Sequence, residues 1–200
     1  MRMNKVAIWG AALALLMLPN LPGWSAQDMF IVIHDAASVD DILPKLTNGA
    51  GRASKETKDV YKEDDDKKTA ILVTGEGGDG QRFNPGMPGW NIEIKKNPGK
   101  CQYRYITFAW KKKGGTGIQL QLHATTNTWG HRYHAGANEK NWNPSILVSK
   151  DIPKEWELHT RDLFTDWDAM TITGIAFTAW SLDHGIWDHV VFHQTPEDPL

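Results

Sequence analysis

Apolar and polar residues alternate over three stretches in the last third of the chain, at residues 155–164, 171–180 and 186–193. A period of two predicts β-strands that are buried on one side. A turn sequence, Asp183-His184-Gly185, separates the last two stretches, and no helical period lies between any of them. The pattern therefore indicates consecutive strands without crossover helices.

Two more alternating stretches, residues 103–111 and 118–124, are joined by the glycine-rich segment 114–117. We expect them to pair as a hairpin, because glycine favours the tight turn between adjacent strands. With the shorter apolar runs elsewhere, the chain contains about nine or ten strands and little helix. This predicts an all-β fold, a two-sheet antiparallel β-sandwich of jelly-roll type.

The N-terminus has the pattern of a signal peptide, which we place at residues 1–25. Arg2 and Lys5 precede a short apolar run, and small residues favour cleavage after Ser25. The alternative is an uncleaved N-terminal anchor. We expect residues 26–57 to form an N-terminal strand and surface loop, and residues 58–195 to form the core domain of a secreted or periplasmic protein with no membrane span after cleavage.

Charge and cysteine content exclude some classes of protein. The chain has 22 basic and 24 acidic residues, and loss of Arg2 and Lys5 would leave 20 against 24, a net charge of −4. That balance does not predict nucleic-acid binding. The single cysteine, Cys101, excludes an intramolecular disulfide. We expect a half-buried thiol there, with intermolecular pairing as the alternative.

Tryptophan is unusually frequent, with ten in the chain and eight after removal of Trp9 and Trp24. Indole rings fill cores, and on a surface they stack against flat apolar groups such as sugar rings. Strand parity predicts three of them to be core residues. Four are candidates for exposure, two because they lie in residues 127–144, which we interpret as an irregular loop, and two because of their parity. The core set is Trp90, Trp110 and Trp156, and the exposed set is Trp129, Trp142, Trp180 and Trp187.

Alternation also predicts a polar and aromatic sheet face that could bind a ligand. Its members carry amide, imidazole, guanidinium and aromatic groups, which hydrogen-bond hydroxyls and stack on rings. The predicted ligand-binding residues are Tyr103, Tyr105, Gln119, Gln121, His123, Arg161 and Trp180. The alternative is an ordinary solvated sheet face.

The sequence contains no convincing catalytic or transition-metal motif. His131 and His134 are three residues apart, which on a strand places them on opposite faces. No Gly-x-Ser-x-Gly elbow is present. Asp188, between Trp187 and His189, is the one carboxylate in an apolar context that suggests a raised pKa. We therefore expect a non-catalytic protein, with a small glycan-active hydrolase as a weaker alternative.

Several segments together resemble a known set of domains. They are residues 81–90 (QRFNPGMPGW), 103–112 (YRYITFAWKK), 160–164 (TRDLF), 172–176 (ITGIA) and 185–192 (GIWDHVVF). They are similar to exported bacterial domains of unknown role, common in planctomycete-type proteomes. The ending also resembles the galactose-binding-like jelly rolls of carbohydrate-binding modules.

The resemblance covers residues 58–193 and implies a β-sandwich and, by analogy of fold, the binding of a sugar or polymer. It also implies a structural Ca²⁺, with Asp188 at the matching last-strand position and Asp35 or Asp59 as its partner. The resulting hypothesis is a secreted, non-catalytic binding module for a glycan or cell-surface polymer. The alternative is an assembly subunit that joins a protein partner through the segment between Trp129 and Trp142.

Overall fold

The computed structural model describes residues 28–62, 69–76 and 80–200. The predicted signal peptide therefore lies outside the described residues, as does the acidic run 63–66. Within the described ranges, no helix has the length and apolar character needed to cross a membrane.

The first sheet has six strands in the spatial order β11-β7-β13-β3-β2, with β1 paired to β13. All of its pairs are antiparallel. Its strands are β1 (Met29–Ile33), β2 (Ala53–Glu56), β3 (Ala70–Gly75), β7 (Tyr105–Lys112), β11 (Glu157–Asp162) and β13 (Leu182–His193).

The second sheet has seven strands in the order β10-β9-β8-β12-β5-β6, with β4 paired to β12. Its central pairs are antiparallel, and two pairs at its edges are parallel. Its strands are β4 (Gln81–Arg82), β5 (Ile92–Ile94), β6 (Gln102–Tyr103), β8 (Gly117–Ala124), β9 (Thr128–Gly136), β10 (Ile146–Ser149) and β12 (Met170–Trp180).

Among the residues that the structure describes, helical structure is limited to three short elements. They are α1 (Ala36–Ile42), the 3-10 turn Leu43–Lys45 and α2 (Leu163–Trp167). Asp35 caps α1, since its side chain accepts a hydrogen bond from the Ser38 amide at 2.8 Å. The predicted all-β, two-sheet jelly-roll sandwich is thus confirmed.

The main apolar core lies between the two sheets. Phe108 of β7 stacks against Tyr133 of β9 with ring centroids 5.7 Å apart, and Phe177 of β12 contacts Trp187 of β13 at 5.4 Å. All four side chains are fully buried. Because large aromatic side chains bury the most apolar area, these contacts between sheets hold the sandwich together.

The predicted hairpin between residues 103–111 and 118–124 is wrong. β7 pairs with β11 and β13, whereas β8 pairs with β9 and β12. The turn between β7 and β8 carries the chain from one sheet to the other. Two strands show the same alternation of apolar and polar residues whether they pair within one sheet or face each other from two sheets. The sequence pattern could not distinguish these two arrangements.

The predicted strand 103–111 is also two strands. Tyr103 ends β6 in the second sheet, and Tyr105 begins β7 in the first. Arg104, between them, donates to both carboxylate oxygens of Asp162 at 2.6–3.1 Å and to the carbonyl of Lys96. These bonds fix the point at which the chain leaves one sheet for the other.

A β-bulge in β13 explains a second error. The register of β13 against β7 shifts between Asp188 and Val191, and His189 has a left-handed φ of +50°. The extra residue reverses the inward parity, so that both Trp187 and Phe192 face the core. Trp187 was predicted to be exposed and is fully buried.

Cys101 differs from its predicted half-buried state. It is exposed, at a φ of +58° in the turn before β6. A turn that projects from the end of an edge strand leaves its side chain in solvent.

Lys112, the last residue of β7, is fully buried at one end of the sandwich. It shares the inward side of the strand with Trp110, two residues earlier. Its Nζ donates to the carbonyl of Asp183 at 2.7 Å. Burial lowers the pKa of the amine to about 8, although attraction to Asp183 and Glu139 offsets part of the effect.

Asp162 is expected to contribute strongly to stability, because it joins Arg104 and also accepts from the Thr165 amide as the cap of α2. We expect Asp162→Ala to lower the free energy of unfolding by about 2 kcal/mol. Chemical denaturation measures this, with the exposed Asp151→Ala as control. Equal stability of the two variants would contradict the assigned role.

Candidate functional site

The candidate site is the part of the outward side of the second sheet that is formed by β4, β8, β9 and the C-terminal half of β12, which we call the second-sheet face. Cross-strand pairing defines it, because residues opposite one another in a sheet point the same way. Gln119 pairs with Thr178 of β12 and His134 of β9, and Gln121 pairs with Ala176 and Arg132. The face comprises Arg82, Gln119, Gln121, His123, Arg132, His134, Gly174, Ala176, Thr178 and Trp180.

The centre of this face is polar and yet buried. Gln119 and Trp180 are 0% exposed, Thr178 is 2% exposed and Gln121 is 3% exposed. Gln119 Nε2 donates to Gln121 Oε1 at 3.4 Å, and Gln121 Nε2 donates to the carbonyl of Trp129. These bonds fix the orientation of both amides.

Apart from the two arginines, three side chains of the face each have one buried polar atom without a hydrogen-bond partner among the described residues. These atoms are Gln119 Oε1, Thr178 Oγ1 and Trp180 Nε1. The first accepts a hydrogen bond, the last donates one, and the hydroxyl can do both. Buried polar atoms normally have partners, and each one that lacks them costs about 1–3 kcal/mol. Other buried atoms without partners in the described part of the chain lie elsewhere in the sandwich, namely Trp110 Nε1, His131 Nδ1 and Trp187 Nε1. The face differs because its three atoms belong to neighbouring outward positions, and we interpret them as groups that a ligand would satisfy.

Trp129 borders one end of the face. Its ring lies against His123, with centroids 4.9 Å apart, and the Arg82 guanidinium is 5.7 Å from the indole. A Cβ atom at Gly174 would lie only 3.4 Å from this ring and 3.2 Å from the Cβ of His123. The indole therefore lies close to the sheet at position 174, where glycine has no side chain.

Trp142 borders the other end, from the segment between β9 and β10. Its ring meets Trp180 edge-on at 5.6 Å, and the Arg132 guanidinium is 5.3 Å from it. Both Trp129 and Trp142 are half-buried. The face is therefore a polar strip with an indole at each end.

The two histidines of the face are held by hydroxyl groups. His123 Nδ1 is 2.6 Å from Thr173 Oγ1, and His134 Nδ1 is 2.7 Å from Ser145 Oγ. Burial lowers the pKa of both rings. Both histidines are therefore mainly neutral at pH 7, and the formal positive charge of the face comes from Arg82 and Arg132.

Four of the seven predicted ligand-binding residues come together on the second-sheet face. Gln119, Gln121 and His123 lie on β8, and Trp180 lies on the adjacent β12. Trp180, however, is fully buried, although we predicted it to be exposed. In the C-terminal half of β12, the residues on both sides of the strand are buried, and the alternation in the sequence does not reveal this.

The other three predicted residues lie elsewhere. Tyr103 is 6% exposed and packs against Phe30 in the core, so that it cannot form part of an outer face. Tyr105 stacks on His193 in the first sheet, and Arg161 is paired with Asp166 at 2.7 Å. The predicted single face thus divides between two sheets, because the hairpin on which it depended does not form.

Sequence reasoning missed Arg82, Arg132, His134 and Thr178. Residues 127–144 were interpreted as an irregular loop, whereas residues Thr128–Gly136 form β9. A signal was present, since His131, Tyr133 and Ala135 alternate with Arg132 and His134. Two of the three inward residues, His131 and Tyr133, carry polar atoms. The contrast between apolar and polar positions was therefore weak.

The remaining tryptophan predictions have mixed outcomes. Trp110 is fully buried as predicted, and Trp90 and Trp156 are half-buried. Trp90 packs on the main core, and Trp156 packs on a second, smaller apolar cluster.

The two carboxylates predicted to bind Ca²⁺ have structural partners. Asp35 caps α1, and Asp188 accepts from the amides of Tyr61 and His189 at 2.9 and 2.7 Å. Across residues 28–62, 69–76 and 80–200, no group of three or more His, Cys, Asp or Glu side chains could hold a metal ion. The calcium site therefore stays a prediction.

Comparisons with known proteins give a likeness of fold. No protein-family model matches the chain, and no curated protein matches it in sequence. Among solved structures it is similar to an exo-β-agarase, with 14% identity, a TM-score of 0.41 and coverage of 79% of this chain and 25% of that one. It is also similar to a glycoside hydrolase family 43 arabinoxylan arabinofuranohydrolase from Bacillus subtilis in complex with cellotetraose. That match has 11% identity, a TM-score of 0.40 and coverage of 75% and 28%.

A third similar structure is a family 11 carbohydrate-binding module from Clostridium thermocellum in complex with a β-1,3-1,4-mixed-linked tetrasaccharide. It has 12% identity, a TM-score of 0.39 and coverage of 75% of this chain and 88% of that one. This chain spans about a quarter of the length of the two enzymes. The expected resemblance to carbohydrate-binding β-sandwiches thus has a counterpart among solved structures, and the planctomycete-type origin stays a prediction.

Proposed function

We propose that this protein is an exported, non-catalytic domain that binds a glycan on the second-sheet face. The observation that carries the proposal is the group of three adjacent buried atoms, Gln119 Oε1, Thr178 Oγ1 and Trp180 Nε1, without hydrogen-bond partners among the described residues. The basic and apolar pattern of residues 1–25 supports export.

A polyhydroxylated ligand suits these atoms. A hydroxyl group both donates and accepts, so sugar hydroxyls could donate to Gln119 Oε1 and accept from Trp180 Nε1. Both atoms are buried in this structure, so the side chains that cover them would have to move when the sugar binds. A site that hydrogen-bonds hydroxyl groups selects strongly for ligands that carry them, because its own buried groups are otherwise left without partners.

The tryptophans at the two ends supply the second kind of contact. A sugar ring presents a face of C–H groups, which packs against an indole and removes apolar area from water. Trp129 and Trp142 are half-buried and lie at opposite ends of the polar strip. A chain of sugars that follows the strip would reach both.

The charge of the face supports binding without catalysis. Most glycoside hydrolases use two carboxylates on either side of the scissile bond. None of the ten positions of the second-sheet face is an aspartate or glutamate. Glycan hydrolysis by this common mechanism would need acids from outside the face.

We expect Trp129→Ala and Trp142→Ala each to weaken glycan binding about tenfold through loss of stacking. The test is affinity electrophoresis of the purified protein against a panel of polysaccharides, followed by calorimetry on the best ligand. The matched control is Trp156→Ala, a half-buried tryptophan that directly precedes β11 of the first sheet. Thermal melts check that each variant is folded.

Two results would contradict the proposal. One is the absence of binding across the panel, and the other is an equal loss of affinity in Trp156→Ala. Absence of glycan binding together with a specific protein complex, disrupted by Trp142→Ala, would favour the alternative function of an assembly subunit.

A further inference from the structure

We propose that the glycan bound on the second-sheet face is anionic and carries carboxylate or sulfate groups. This inference rests on the function proposed above and adds the chemical class of the ligand. It follows from the charged residues of the face and from the way in which they are held.

The formal charges at the ten positions of the face are two, both positive and carried by Arg82 and Arg132, because the two histidines are mainly neutral. Glu93, on the outward side of β5 in the same sheet, lies outside these ten positions and is 3.5 Å from the ammonium group of Lys95. Glu139, near the Trp180 end, accepts hydrogen bonds from the hydroxyls of Thr116 and Ser181. The pKa of Glu139 is lowered by those hydroxyl bonds and by attraction to Lys140 and Lys112. Its negative charge is therefore stabilised at the end of the sheet rather than on the face.

The two arginines lie in one row across the sheet. Arg82 pairs with Ala176, Ala176 with Gln121, and Gln121 with Arg132. Three strand spacings separate the two arginines, which places their Cα atoms roughly 14 Å apart. The two charges therefore flank the centre of the face, where Gln119 and Thr178 lie one pleat away.

Each guanidinium is held in position by the protein. Arg132 lies over Trp142 and donates from Nη1 to the carbonyl of Pro144 at 3.3 Å. Arg82 lies over Trp129 and donates from Nη1 to the carbonyl of Gly80 at 2.9 Å. A guanidinium fixed on an aromatic ring loses less conformational entropy when it binds, and its planar fork fits the oxygens of a carboxylate or sulfate.

The remainder of the molecule does not favour polyanions. The chain has a net charge of −2, so a general electrostatic attraction to an acidic polymer is not expected. A preference for acidic glycans would therefore have to come from a local group of cations. Arg82 and Arg132 are the arginines of the second-sheet face.

The experiment compares glycans that differ only in charge. Polygalacturonate is titrated against its carboxyl-reduced form, and dextran sulfate against dextran, at 50 and 300 mM NaCl. We expect the acidic member of at least one pair to bind tenfold tighter or more, and the preference to fall at high salt. The pair that responds distinguishes carboxylate from sulfate.

Three variants locate the effect. Arg132→Gln should remove most of the preference, and Arg82→Gln provides a second test if the first variant does not fold. Lys58→Gln makes the same change of charge at an exposed position after β2, and it should leave the preference intact.

The two proposals fail in different ways. Equal or tighter binding of the neutral glycans would overturn the anionic ligand and leave glycan binding in place. A preference weakened as much by Lys58→Gln as by Arg132→Gln would also overturn it, because the charge effect would then not be local. If neither acidic nor neutral glycans bind, both proposals are overturned.

Discussion

Replacing Lys112 with methionine is expected to raise the free energy of unfolding by about 2 kcal/mol at pH 7. The lysine is fully buried. Among the described residues, its amine donates one hydrogen bond, to the carbonyl of Asp183. A protonated amine in that position loses most of its hydration. Methionine has similar length and no charge, so it fills the same space without that loss.

The pH dependence of stability identifies the cause. The pKa of Lys112 is about 8 in the folded protein, against 10.5 for an ordinary lysine. Between these values the unfolded chain binds a proton that the folded chain does not, so stability rises as pH increases through this range. From pH 7 to 10 the gain attributable to Lys112 is about 2 to 3 kcal/mol. Lys112→Met should lack it.

Guanidinium denaturation at pH 7, 8, 9 and 10 measures both effects. The adjacent Lys113→Met is the matched control, because Lys113 is exposed and its loss should change stability little. Parallel pH profiles for the wild type and Lys112→Met would contradict a depressed pKa at Lys112.

Where one side of a strand was purely apolar, sequence alone predicted the fold and part of the site. Ile118, Leu120 and Leu122 alternate with Gln119, Gln121 and His123, and the structure places the two sets on opposite sides of β8 as expected. A period of two determines the side of a strand on which a residue lies, because successive side chains point to opposite faces. It does not determine which strands are neighbours.

Two features account for the wrong predictions. They are the pairing of strands that are distant in sequence and a β-bulge that changes the side of the strand on which residues lie. The pairing of β7 with β13, 80 or so residues away in the chain, depends on the whole topology rather than on the local glycine-rich turn. The bulge at Asp188 and His189 inserts one residue and reverses the side on which later residues lie. Neither effect has a local hydrophobic signature, so Tyr103 and Trp187 were assigned to surfaces and lie in the core.

The site itself could be predicted only in part, because its most informative property is not encoded in residue type. Glutamine and threonine on an outward position are ordinary, and only the structure shows that Gln119 and Thr178 are buried with polar atoms that lack partners among the described residues. Buried polar atoms without partners lower the stability of the fold. We therefore interpret them as groups that are retained for ligand binding at the expense of stability.

That interpretation predicts opposite effects on stability and binding. We expect the double variant Gln119→Leu, Thr178→Val to raise the free energy of unfolding by about 1 kcal/mol. Two buried polar atoms without partners are removed, and the only hydrogen bond lost among the described residues is the long one of 3.4 Å from Gln119 Nε2 to Gln121 Oε1. The same variant should weaken glycan binding roughly a hundredfold, since each lost hydrogen bond is worth about 1.4 kcal/mol. Denaturation and calorimetry on the same preparation measure both quantities.

A matched control separates this from a general effect of buried threonines. Thr107 is also buried, but its hydroxyl is bonded to His193 at 2.8 Å and to Thr160 at 2.7 Å. Thr107→Val should therefore destabilise the protein by about 1–2 kcal/mol and leave binding unchanged, because it strands a buried imidazole nitrogen in the other sheet. If the double variant is also destabilised and still binds, then Gln119 and Thr178 serve the fold, and the second-sheet face is not the binding site.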